Sequence, residues 1–224
     1  MVFLQQIIEL LSRPPGSVIY HLVTLFALQV VLALALSRWQ RDPNDEAARR
    51  MSLAAGGMLI ARLILLIVAL LVDQNPERAR IILPPLEQAI DTATVILLVW
   101  GLAAFAMDRP RLADGALLVS LVVVVVMFLF FFQDWQSRAT LTSAYVWGVL
   151  QMAILGLGFV WLLVDAAARY SLRPIIAGVA LLAHIANFFN YPELIPTGTD
   201  VIYWLRLGYL VAFPLWWVLA YRDG

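Results

Sequence analysis

Residues 116–132 read ALLVSLVVVVVMFLFFF, seventeen positions with one hydroxyl and no charge. The valines would favour a strand in water, but lipid offers the backbone no hydrogen bonds, so a segment of this length must satisfy its own polar groups as a helix. Six further apolar runs flank it at Ser17 to Leu36, Met51 to Val72, Leu86 to Met107, Ser143 to Val164, Pro174 to Asn190 and Val201 to Leu219. A hydrocarbon layer about 30 Å thick takes about 20 helical residues, which these runs supply with only short polar connections between them. The expected fold is an all-α membrane protein, a bundle of seven transmembrane helices.

Composition agrees, since 63% of the 224 residues are hydrophobic and 13% charged, far more apolar than a soluble core of this size requires. The fifteen cations are all arginine and are balanced by fifteen acids, so overall charge points to no nucleic-acid partner. Without cysteine there is no disulfide, thiolate metal site or cysteine nucleophile, and without lysine a retinal Schiff base has no amine to form on.

Orientation follows from the loop arginines, which accumulate on the cytoplasmic side. Arg38, Arg41, Arg49, Arg50, Arg109, Arg111, Arg169, Arg173 and Arg222 fall on one side, against Arg13, Arg78, Arg80 and Arg138 on the other. Nine against four places the N-terminus outside and the C-terminus in the cytoplasm. Residues 1–16 are apolar but too short to span, and without a basic leader or a small-residue cleavage site they read as a helix lying at the outer interface. The seven-helix domain then covers 17–219, and 220–224 form a cytoplasmic stub.

Ionisable side chains at membrane depth cost about 2.5 to 3.5 kcal/mol each on insertion scales and therefore mark candidate sites. A helical rise of about 1.5 Å per residue sorts them into layers. Glu87, Asn187 and Tyr203 lie within about one turn of the outer surface, and Asp91, His184 and Arg206 lie about 9 Å down. Gln29, Arg62 and Gln151 come deeper.

Asp91 is expected to pair with Arg206, either as a purely structural bridge or as part of a ligand site. Arg62 has only Gln29 at its own depth, so it either lines a wet cavity, reaches an acid above it or waits for an anion. Glu87 follows Pro84 and Pro85, where an acid in a first turn complements the helix dipole. His184 and Asn187 share a face whose plainest role is hydrogen bonding between helices. His21 and His184 could in principle ligate a haem iron, but their depths differ by about one turn, and no cofactor or metal is assigned. Pro214 is the one interior proline expected. Gly57 with Ala61, and Gly148, Gly156 and Gly158, read as close-packing positions, while Trp39, Trp135, Trp204, Trp216, Trp217 and Tyr221 read as interfacial belts.

The run Pro84-Pro85-Leu86-Glu87-Gln88-Ala89-Ile90-Asp91, continued by Leu97, Leu98, Val99, Trp100 and Gly101, together with seven spans and an exit at Arg222, resembles the N-terminal seven-span sensor region of bacterial histidine kinases. The resemblance implies a receptor module in a bacterial inner membrane that passes a conformational change through its last helix to a cytoplasmic kinase-type domain, as part of a two-component system and as a homodimer. On this reading a small polar or anionic molecule binds an outer-half cavity lined by Arg62, Asp91, His184, Asn187, Tyr203 and Arg206. The module itself carries no catalytic motif and is not expected to be an enzyme. The alternative is a small transporter or an accessory subunit of a membrane complex.

Overall fold

The computed structural model describes residues 16–72, 76–103, 110–138, 142–165, 170–194 and 203–222, and the proposed outer helix at 1–16 lies almost wholly outside them. Among the described residues the chain is all helix, without strands. The elements are α1 (Gly16–Arg41), α2 (Glu46–Val72), α3 (Pro76–Ala103), α4 (Pro110–Arg138), α5 (Thr142–Val164), α6 (Arg173–Leu194) and α7 (Tyr203–Arg222). Six of these, all but α6, are long and apolar enough to cross a membrane. In α6 the imidazole of His184 and the amides of Asn187 and Asn190 dilute the hydropathy.

The helices extend further than the apolar runs because polar caps lie beyond them. α2 starts at Glu46 rather than Met51, with Asp45 Oδ1 accepting the Ala48 amide at 2.8 Å as an N-cap. Ser171 Oγ likewise accepts the Arg173 amide at 3.2 Å before α6. The largest difference is in α3, which begins at Pro76 and runs through Pro84 and Pro85. Pro214 is therefore not alone as an interior proline. Glu87 sits well inside the helix, so the first-turn dipole account of it fails. Pro84 and Pro85 have no amide hydrogen, which leaves the carbonyls of residues 80 and 81 without their helical donors.

Consecutive helices pack as neighbours except α4 with α5, and α1, α2, α3, α5, α6 and α7 close into a ring because α7 returns against α1 and α3 packs on α5. α4 stands outside the ring against α3. α3 is accordingly the most enclosed element, with 61% of its apolar window buried, and α4 the least, with 6%. Outward positions such as Phe26, Ile60, Leu71, Val122, Phe130 and Leu157 are apolar and exposed, the pattern expected of helices whose outer solvent is lipid. Tyr221 and Trp217 lie exposed near the end of α7, whereas Trp216 is wholly buried in the core and belongs to no interfacial belt.

Close approach of helix backbones depends on small residues. A Cβ on Gly158 would lie 2.6 Å from Val99 Cγ1, and one on Gly208 would overlap the methyl group of Ala183. Gly156, also expected as a packing position, has nothing within 4 Å. Where α2 and α4 begin and α3 ends, charges tie the elements together. Asp114 accepts from Trp100 Nε1 at 3.3 Å and from Arg50 Nε at 3.4 Å, and Arg49 lies 3.6 Å away. Arg49 and Arg50 are thus part of a helix junction rather than a free basic loop.

Candidate functional site

Inside the ring, in the half where the odd-numbered helices begin, four charged side chains form two ion pairs. Arg62 of α2 donates from Nη2 to Asp91 Oδ1 of α3 at 2.7 Å, and the two side chains are 2% and 4% exposed. Arg206 of α7 donates from Nη2 to Glu87 Oε1 of α3 at 3.4 Å, with exposures of 13% and 17%. The expected bridge from Asp91 to Arg206 is therefore replaced by two others. Glu87 lies one helical turn before Asp91, so both acids share a face of α3. Arg206, near the start of α7, meets the nearer acid, and the long Arg62 side chain spans from α2 to the deeper one. Of the three fates open to Arg62, the structure shows the second, an acid within reach.

Two tyrosines complete the cluster. Tyr20 of α1 accepts from Arg62 Nη1 through its hydroxyl at 3.4 Å, and its ring lies 5.4 Å from the Arg206 guanidinium carbon. Tyr209 of α7 presents its ring face to Arg62 at 4.6 Å and stacks on Phe213 at 5.1 Å between ring centres. Both are within the distance at which a guanidinium is attracted to an aromatic face. Tyr20 and Tyr209 are 2% and 1% exposed. Neither tyrosine stands out in the sequence, where each sits in a largely apolar run and a phenol carries no formal charge. The spacing of Tyr209 three residues after Arg206 was the available signal, since it puts both on one face of α7.

His184 of α6 meets Tyr209 edge-on at 5.9 Å. Its Nδ1 is 2.8 Å from the Ala180 carbonyl, an acceptor, so Nδ1 carries the proton and donates. Nε2 is buried without a partner among the described residues, as is Asn187 Oδ1.

A second polar group lies between α3, α5 and α6. Gln151 donates from Nε2 to Thr92 Oγ1 at 2.8 Å, and Thr92 donates to the Gln88 carbonyl at 2.8 Å. Gln88, Gln151, His184 and Asn187 line a small, partly open cavity of about 10 Å³ there. Of the residues expected to bind ligand, Arg62, Asp91 and Arg206 thus meet in the charged cluster. His184 borders both groups, and Asn187 belongs to the second. Tyr203 begins α7, and its side chain lies outside the described residues. Gln29 is exposed on the outer face of α1 and does not join Arg62.

Chemically this arrangement is a set of paired charges flanked by aromatic rings. It offers two guanidinium groups, two carboxylates and aromatic faces at the junction of α1, α2, α3 and α7, with the looser pair nearer the end of the bundle.

The chain matches no protein-family model and no curated protein.

Proposed function

We propose that the chain is a seven-span sensor module of a bacterial inner membrane, with its N-terminus outside and its C-terminus cytoplasmic. It binds a small polar or charged molecule in the outer half and signals through α7 to a cytoplasmic kinase-type output. The carrying observation is the Glu87 to Arg206 pair. At 3.4 Å and partly accessible, it is the looser of the two, and it ties the central helix directly to the last one. A ligand shifts an equilibrium only by its differential affinity for two states. One that takes over the contacts of Arg206 favours the state in which α7 is released from α3, while the buried Arg62 to Asp91 pair keeps α2 and α3 together.

Two further features support the reading. α6 packs between α5 and α7 as part of the ring, which supports reading it as a seventh span beside the six more apolar helices. Beyond the charged cluster the interior is filled by Met58, Leu98, Phe213 and Trp216, all fully buried, an apolar plug that favours a closed binding site over a through-path.

The orientation can be checked with one thiol, because the chain has none. Asn44→Cys, in the exposed link between α1 and α2, is expected to react with a membrane-impermeant maleimide only after the cells are opened. Labelling of intact cells would reverse the orientation. For the output, the native gene product in its own membranes is expected to be larger than 224 residues allow and to accept phosphate from ATP on histidine. A product of this length without such labelling would move the reading to a transporter or an accessory subunit.

A further inference from the structure

We infer that the small cavity between α3, α5 and α6 is a binding site for one ordered water, which donates to His184 Nε2 and Asn187 Oδ1 of α6 and accepts from Gln151 Nε2 of α5. Because His184 Nδ1 donates to the Ala180 carbonyl at 2.8 Å, Nε2 of the neutral ring keeps a lone pair and no hydrogen. That atom and Asn187 Oδ1 are both buried without a partner among the described residues, on side chains of residues 3% and 8% exposed. Two acceptors cannot satisfy one another, and a buried acceptor left unmet is costly. Both residues line the cavity, and so does Gln151. The Gln151 amide donates to Thr92 Oγ1 at 2.8 Å, whereas its contacts with the Gln88 carbonyl and Gln88 Oε1 are long, at 3.4 and 3.5 Å. Its second hydrogen is therefore available to an occupant. That occupant has to bring two donors and one acceptor into a space of about 10 Å³, which a water does with about three hydrogen bonds, the usual number for a buried one. An ammonium ion would bring donors alone, and none of the residues lining the cavity is acidic enough to balance its charge. The water also accounts for the composition of α6, the helix that falls short of the six more apolar ones. Through it His184 and Asn187 share the Gln151 amide, so polar groups of α6 are held to α5 across the cavity. The imidazole is then fixed at both nitrogens while it meets Tyr209 edge-on at 5.9 Å. This site does not depend on the ligand or the output proposed above.

Solid-state NMR of the full chain in lipid bilayers, with isotope-labelled histidine, tests this directly, because His21 and His184 are the only two histidines. The signals of His184 are those that survive in His21→Gln. The proton of His184 is expected on Nδ1, and Nε2 is expected to receive magnetisation from a water proton at mixing times too short for any but a hydrogen-bonded neighbour. Asn187→Leu, which replaces an acceptor by methyl groups at the cavity wall, is expected to abolish that transfer, and Gln151→Leu to weaken it. The spectrum of the unaltered chain decides by itself if neither variant folds. A His184 ring protonated on Nε2, or an Nε2 that receives no magnetisation from water, would overturn the inference. Transfer of full strength in both Asn187→Leu and Gln151→Leu would place the water elsewhere and overturn it as well.

Discussion

Replacing Asp91 by asparagine is expected to destabilise the protein by about 3 to 5 kcal/mol, the cost of leaving one member of a buried ion pair without the other. Arg62 has its strongest partner in Asp91 at 2.7 Å, and its next contacts among the described residues are a phenol oxygen at 3.4 Å and the Tyr209 ring face. Neither of these carries a negative charge, and the guanidinium is too enclosed to reach water. Removing both charges is a different experiment. A chain with Arg62→Met and Asp91→Leu buries no ion, and such exchanges are often neutral or stabilising. Here the Tyr20 hydroxyl would lose its partner, which costs about 1 to 3 kcal/mol when the group stays buried. The double variant is therefore expected to fall between the unaltered chain and Asp91→Asn. Equilibrium unfolding in mixed micelles compares all three, and the Arg62→Met and Asp91→Leu single variants complete the cycle that gives the interaction energy. A double variant less stable than Asp91→Asn, or an Asp91→Asn chain within about 1 kcal/mol of the unaltered one, would show that the pair does not hold α2 to α3.

The second large effect is expected from a single methyl group. A Cβ on Gly208 of α7 would overlap the Cβ of Ala183 on α6, and neither atom belongs to a flexible side chain that could turn away. Gly208→Ala therefore has to push the two helices apart. Overpacking of this kind costs about 1 to 3 kcal/mol. Ala183→Gly removes the opposing methyl and is expected to restore most of the loss. Gly156→Ala, with nothing within 4 Å, is the control and is expected to be close to neutral. The consequence reaches the site because Ala183 precedes His184 and Gly208 precedes Tyr209. Separation of α6 and α7 should therefore disturb the contact of His184 with Tyr209 and, through Tyr209, the stacking of Arg62. Stability by unfolding, together with ligand response, distinguishes the cases. Equal loss in Gly208→Ala and Gly156→Ala would rule out the close approach as the cause.

Much of the architecture was legible without coordinates. Seven apolar runs, the absence of strands and the polar residues at membrane depth are local properties of the chain, because lipid imposes helices on any apolar segment of sufficient length. The stripe formed by Glu87 and Asp91 was likewise visible from helical periodicity. The extent of α3 was not. Pro84 and Pro85 look like a helix start, yet the helix begins at Pro76, because prolines can be carried inside a membrane helix when its surroundings re-satisfy the backbone.

Sequence alone thus determined which helices exist and which of them bear charge. Only the tertiary structure decided which charge meets which. Depth layers treat each residue as a point at its backbone position, but the arginine side chain reaches across a full layer, so Arg62 takes Asp91 and Arg206 is left to Glu87. Rotation of a helix about its axis is equally hidden when most of its faces are apolar. Gln29 accordingly faces outward and Trp216 inward, and Tyr20 and Tyr209 turn out to line the site. These choices are made by packing between helices, and lipid, being as apolar as the side chains it meets, enforces none of them beforehand.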